Sequence, residues 1–91
     1  MSSKKPIKKL IFSTSAREDL VFWEVTSPKT IQRINALLAA IMVDPEHGIG
    51  KPEKLKYELA GLWSRRINLR DRLVYQIQGE TVYVLQLREH Y

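Results

Sequence analysis

RLVYQIQGETVYVLQLR, residues 72–88, is the stretch on which the reading of the fold turns. Apolar and polar residues alternate on either side of Gln78-Gly79-Glu80, and a period of two sends successive side chains to opposite faces of a strand. The tight connection makes the two strands antiparallel neighbours. Leu73, Tyr75 and Ile77 share one face of the first strand. Tyr83, Leu85 and Leu87 share a face of the second, and both sets are expected to lie under a covering layer together with Trp63 and Ile67.

Toward the N-terminus the same alternation marks further strands at residues 62–68 and 55–59, joined by Leu69-Arg70-Asp71 and Ala60-Gly61. The opposite faces carry Ser64, Arg66 and Asn68, then Arg72, Val74 and Gln76, then Val82, Val84, Gln86, Arg88 and His90. Arg66, Arg72 and His90 are therefore expected on one open face. Parity puts Arg65 in the core set, where a charge is awkward, so the expectation is that it escapes at a sheet edge or that a bulge breaks the register.

The period is helical before residue 44. Lys9 to Phe12 reads as a first strand, after which Ser15 and Glu18 form an S-x-x-E capping box. Ala16, Leu20 and Trp23 recur at helical spacing to about Val25. Ser27-Pro28 starts a second helix, since proline at the first helical position loses no needed hydrogen bond. Ile31, Ile34, Leu37, Leu38 and Ile41 form its buried stripe, which fades at Asp44-Pro45, and residues 46–52, with two glycines and Pro52, read as a loop. The fold class is α+β, with two N-terminal helices packed on one face of a mostly antiparallel sheet. Residues 1–8 read as a flexible basic extension and residues 9–91 as one domain.

Ninety-one residues suffice for one core and little else. Fifteen Lys and Arg against ten Asp and Glu give a net charge of +5, which favours anionic partners. From Gly50 onward eight basic residues face five acidic ones, so the excess is not confined to Lys4, Lys5, Lys8 and Lys9. The absence of cysteine excludes disulfide frameworks, thiol catalysis and cysteine zinc sites. No run of residues is long enough to span a bilayer, and the expectation is a soluble, cytoplasmic chain.

Lys51, Lys54, Lys56, Arg65, Arg66, Arg70 and Arg72 put phosphate-binding groups close in sequence to His90, which stands in the final Arg88-Glu89-His90-Tyr91. Imidazole exchanges protons near neutral pH, its ordinary pKa being about 6.5. Cleavage of RNA through the ribose 2'-hydroxyl needs a base, an acid for the leaving 5'-oxygen and a cation for the charge on phosphorus. Glu53, His90 and Arg72 supply one of each, Arg72 with a planar fork suited to phosphate. Tyr91 offers an aromatic face to a base, though parity sets it opposite His90. Glu46-His47 lacks further ligands for a metal site, so no metal or cofactor is expected.

Gly50-Lys51-Pro52-Glu53-Lys54-Leu55-Lys56, Leu59-Ala60-Gly61-Leu62-Trp63-Ser64-Arg65-Arg66-Ile67, Arg72-Leu73-Val74-Tyr75 and Arg88-Glu89-His90-Tyr91 occur in order and at the spacing of one family. From Leu10 onward the chain resembles a YoeB-type toxin of the RelE superfamily. That resemblance implies a ribosome-dependent endoribonuclease, or mRNA interferase, that cuts mRNA in the 30S A site and stops translation. It also implies a YefM-like antitoxin partner, with a homodimer and a toxin-antitoxin heteromer as assemblies. By position it makes Glu53 the general base, His90 the general acid, Arg72 the phosphate-stabilising cation and Tyr91 a substrate-positioning residue. Lys56 and Arg66 become supporting RNA contacts, beside Lys51, Lys54 and Arg65. The alternative on the same scaffold is a catalytically idle module that binds RNA or antitoxin. A third reading is an unrelated basic domain that touches nucleic acid only through phosphates.

Overall fold

A computed structural model describes residues 6–89. The chain runs β1 (Lys9–Phe12), α1 (Thr14–Thr26), α2 (Pro28–Val43), β2 (Glu53–Lys54), a 3₁₀ turn (Tyr57–Leu59), β3 (Trp63–Arg66), β4 (Arg72–Gln78) and β5 (Thr81–Gln86). The five strands form one sheet in the order β1-β5-β4-β3-β2, antiparallel except where β1 lies parallel to β5. Both helices precede four of the five strands, and the α+β class stands.

The first helix begins two residues earlier than its capping box suggests. Ser13, not Ser15, is the N-cap: its hydroxyl accepts from the Ala16 amide at 3.0 Å and donates to the Leu85 carbonyl at 2.8 Å. One side chain thus satisfies a free helix-end amide and ties α1 to β5. Ser27 caps α2, with Pro28 in its first turn as expected. Ile34, Leu37 and Ile41 are fully buried along α2 against Ala16, Ile67, Leu73, Tyr75, Val82, Val84 and Leu87.

Three expectations need correction. Residues 55–59 do not form a strand. Glu53 and Lys54 pair instead with Ser64 and Trp63, Leu55 plugs into the interior, and the backbone turns at Tyr57. In β5 the buried residues are Val82 and Val84 rather than Tyr83. Val74 pairs with Gln86 while Tyr75 pairs with Val84, so Leu85 is an extra residue that reverses the facing of the strand before Leu87, which is buried. The boundary at residue 8 also moves, because Ile7 is only 4% exposed, joins the core, and donates its amide to the Met42 carbonyl at 3.0 Å.

Arg65 is where parity put it, in the core, and neither an edge nor a bulge frees it. Its side chain is completely buried. Nε donates to the Tyr75 hydroxyl at 3.1 Å, Nη1 to the Ile49 carbonyl at 3.0 Å, and Nη2 to the carbonyls of Asp44 and His47 at 2.7 and 3.0 Å. A buried cation is tolerated only when its donors are met, and here peptide oxygens at the end of α2 and in the following loop meet them.

Candidate functional site

The strand registers bring three of the expected residues, Glu53, Arg66 and Arg72, to one face. Glu53 stands opposite Ser64 in the ladder, and Arg66 stands opposite Arg72. Residues directly opposite share a face, and Ser64 and Arg66 share parity. Glu53, Ser64, Arg66 and Arg72 therefore lie on one face of the sheet, turned away from the helices that cover Leu73 and Tyr75. Like charges directly opposite across two strands repel. Arg66 with Arg72 is such a pair, and a bound anion would relieve it.

Glu53 depends on the loop before it. The Gly50 carbonyl accepts from the Arg66 amide at 2.7 Å, and Gly50 itself has φ of 86°, with Leu37 Cδ2 only 2.7 Å from where a side chain would begin. Lys51 follows at φ 52°. The buried Arg65 grips this loop at Asp44, His47 and Ile49, so the base candidate is held from beneath by a side chain that never reaches the surface. Among the described residues, Glu53 makes neither an ion pair nor a side-chain hydrogen bond. With Lys54, Lys56, Tyr57 and Glu58 it lines a surface cleft of about 460 Å³ that Leu55 and Leu59 floor. Lys54 Nζ lies 5.9 Å from the centre of the Trp63 ring.

Arg72 is half-buried at the start of β4. Its Nη1 donates to the Asn68 carbonyl at 3.1 Å, with longer approaches to Leu69 and Asp71. Asp71, read from sequence as a turn residue beside Arg72, has a different task. It is 5% exposed. Its Oδ1 accepts from the Glu89 amide at 2.6 Å, and its Oδ2 accepts from Asn68 Nδ2 at 3.0 Å. The Arg72 amide in turn donates to the Glu89 carbonyl at 3.2 Å.

The segment after β5 is also gripped from the helix side. Asp19 Oδ2 accepts from the Leu87 amide at 2.9 Å, and Trp23 Nε1 donates to the Leu87 carbonyl at 2.8 Å. Asp19 and Trp23 are four residues apart, one turn of α1, which is the only signal in the sequence that could have found this clamp. Glu89 adopts φ of 67°, and its carboxylate lies 3.7 Å from Arg70 Nη2. Since β5 ends at Gln86 and the backbone turns at Glu89, strand parity cannot be extended to His90. His90 and Tyr91 lie outside the described residues.

Arg65 leaves the set of expected RNA contacts, because its side chain is completely buried and its four hydrogen bonds all turn inward. Lys51, Lys54, Lys56 and Arg66 are exposed, with Lys51, Lys54 and Lys56 in the segment that carries Glu53. Among the described residues no three His, Asp or Glu side chains converge as a metal site requires, and no helix is long and apolar enough to cross a membrane.

A two-helix layer over this sheet, with a carboxylate and paired arginines on its far face, defines a small basic protein of the RelE-like fold. Residues 12–91 match the family of YoeB-like toxins of bacterial type II toxin-antitoxin systems. The chain is 48% identical over 80 residues to the toxin YoeB of Mycobacterium bovis, covering 88% of this chain and 94% of that one. Its fold superposes on the YoeB/ParE toxin of Agrobacterium tumefaciens with a TM-score of 0.89 at 39% identity, covering 92% of this chain and all of the other. YoeB of Staphylococcus aureus, 38% identical over 96% of this chain and 100% of its own, has been solved both in complex with YefM, with a TM-score of 0.84, and as a dimer, with a TM-score of 0.85. The chain belongs to the YoeB-like toxin family of the RelE superfamily.

Proposed function

We propose that this toxin is a ribosome-dependent endoribonuclease that cuts mRNA in the A site by general acid-base catalysis through the 2'-hydroxyl. The observation that carries the reading is the shared face of Glu53, Arg66 and Arg72, together with the pinning of Glu89, the residue before His90, to Asp71 and to Arg72 at the start of β4.

In this reading Glu53 takes the proton from the ribose 2'-hydroxyl, and the freed oxygen attacks the adjacent phosphorus. Arg72 opposes the charge that builds on the phosphoryl oxygens, where a fixed guanidinium needs little reorganisation. The bond from phosphorus to the 5'-oxygen breaks as His90 gives that oxygen a proton. The products are a 2',3'-cyclic phosphate and a 5'-hydroxyl. Tyr91 positions the substrate, while Lys51, Lys54, Lys56 and Arg66 hold flanking phosphates. No cofactor takes part in these steps. By analogy with the staphylococcal assemblies, the partners are a YefM-like antitoxin, in a toxin-antitoxin heteromer, and a second copy of the chain. Its workplace is the cytoplasm, where ribosomes are.

The test is a purified translation reaction comparing the native chain with His90→Gln, with the new mRNA ends mapped. Cleavage within the A-site codon that leaves a cyclic or 3'-phosphate, and is lost in the variant, is the expected result. Intact mRNA with the native chain would reduce the protein to a binding module.

A further inference from the structure

Tyr57 is the most conspicuous side chain that the proposed chemistry leaves unused. It is 87% exposed, an extreme value for an aromatic ring, and its backbone sits at φ of 59°, a region in which a tyrosine is strained. The segment around it is nonetheless held by backbone hydrogen bonds. The Leu55 amide bonds to the Leu62 carbonyl at 2.9 Å, and Ala60 and Leu62 close the 3₁₀ turn through the carbonyls of Tyr57 and Leu59. Leu55 is buried and anchors the turn from within. The ring is therefore presented to solvent by a fixed scaffold.

Its neighbours say what it suits. Tyr57 lines the same open surface cleft of about 460 Å³ as Glu53, Lys54, Lys56 and Glu58. A ring interleaved with cations is the usual means of holding a single strand, the cations following phosphates while the ring takes one face of a base. A protein ligand with an acidic segment would use the lysines and gain little from an open aromatic face.

We infer that the cleft formed by residues 53–59 is a nucleotide subsite, in which Tyr57 stacks on a base of single-stranded RNA beside the segment that carries Glu53 while Lys56 holds its phosphate. This rests on the endoribonuclease reading for the neighbouring chemistry, but binding alone can test it. Because every base has a π-face, Tyr57 adds affinity and holds the strand, with only modest preference for one base over another.

The experiment measures binding of the full chain to ribosomes whose mRNA carries a 2'-O-methylated A-site codon, which blocks attack, alongside cleavage of the unmodified mRNA. Native protein, Tyr57→Phe, Tyr57→Ala and Tyr57→Gly are compared. Phenylalanine keeps the ring and should bind as the native chain does. Alanine and glycine should bind about 5- to 150-fold more weakly, the range of one base-aromatic stack. They should raise KM for cleavage while leaving kcat nearly unchanged. Glycine tolerates positive φ, so Tyr57→Gly should melt no lower than the native chain, which separates lost stacking from lost folding. Native-like binding by both Tyr57→Ala and Tyr57→Gly would overturn the subsite, as would failure of the native chain to bind. Binding that depends on Tyr57, with no cleavage by the native chain, would uphold the subsite and sink the nuclease reading.

Discussion

The Nε of Arg65 and the hydroxyl of Tyr75 meet at 3.1 Å in the interior, and the same hydroxyl donates onward to the Pro45 carbonyl at 2.7 Å. Together the two side chains hold the loop from Asp44 to Ile49, and that loop delivers Glu53 to the edge of the sheet. The arginine adjacent to the proposed RNA face thus acts as an internal strut.

Replacing Arg65 with leucine should leave four oxygens without their donor. Only the bond to Tyr75 is fully buried and the other three are part-buried, so at about 1–3 kcal/mol for an unsatisfied buried acceptor a loss on the order of 2 kcal/mol or more is expected. Arg65→Lys should recover little, since an ammonium lacks the planar fork that reaches several acceptors. Urea unfolding measures the change, and a loss below about 1 kcal/mol for leucine would refute the strut.

Burial pushes the Tyr75 hydroxyl above its ordinary pKa of 10.0, only partly opposed by the hydrogen bond and charge of Arg65. The unfolded chain releases this proton near pH 10 while the native chain still keeps it. Unfolding is therefore favoured as pH rises through that window. The contribution is complete below pH 10 and disappears as pH climbs through the native value. Denaturation across alkaline pH should show this decline, and it should be shallower in Tyr75→Phe.

Gly50→Ala should be destabilising by about 1–3 kcal/mol, from overpacking against Leu37 and from positive φ. On a domain of this size each kcal/mol lowers Tm by roughly 4–8 °C. Gly61→Ala is the control: its φ of 96° is close to the 86° of Gly50, but nothing lies near enough for its side chain to touch. The difference between the two variants isolates the packing cost, and equal Tm values would deny it.

Asp71→Ala removes the carboxylate that receives the Glu89 amide. If this clamp positions the residues that follow, cleavage should fall roughly 10²-fold, the scale of a misplacement near 1 Å. Binding to a cleavage-resistant complex should change much less. Asp71→Asn keeps an acceptor oxygen and should recover part of the rate. Equal loss in binding and rate would make Asp71 a purely structural residue.

Glu53→Gln preserves shape and removes the base. Single-turnover cleavage should slow about 10²- to 10⁴-fold, with ribosome binding retained. A variant that cleaves at the native rate would exclude Glu53 from proton transfer.

Local periodicity was enough to read the two helices, the strands at residues 9–12 and 72–78, the last strand except that it ends at Gln86 and not Arg88, and the α+β class from the sequence, because burial of one face imposes a period that the order of residues records directly. The order of Glu53, Arg66 and Arg72 along the chain was legible as well, as was the family that shares it. Only the tertiary structure decided which valines of β5 point inward, since Val82-Tyr83-Val84-Leu85 offers apolar residues to both faces and the bulge is set by pairing with β4. Alternation already set Arg65 and Arg66 on opposite faces, but the tertiary structure alone showed that Arg65 stays in the core instead of escaping at an edge or a bulge. Those two adjacent arginines are chemically identical in sequence, and only the pleat, with the carbonyls of a distant loop waiting on one side, makes one a buried strut and leaves the other facing solvent.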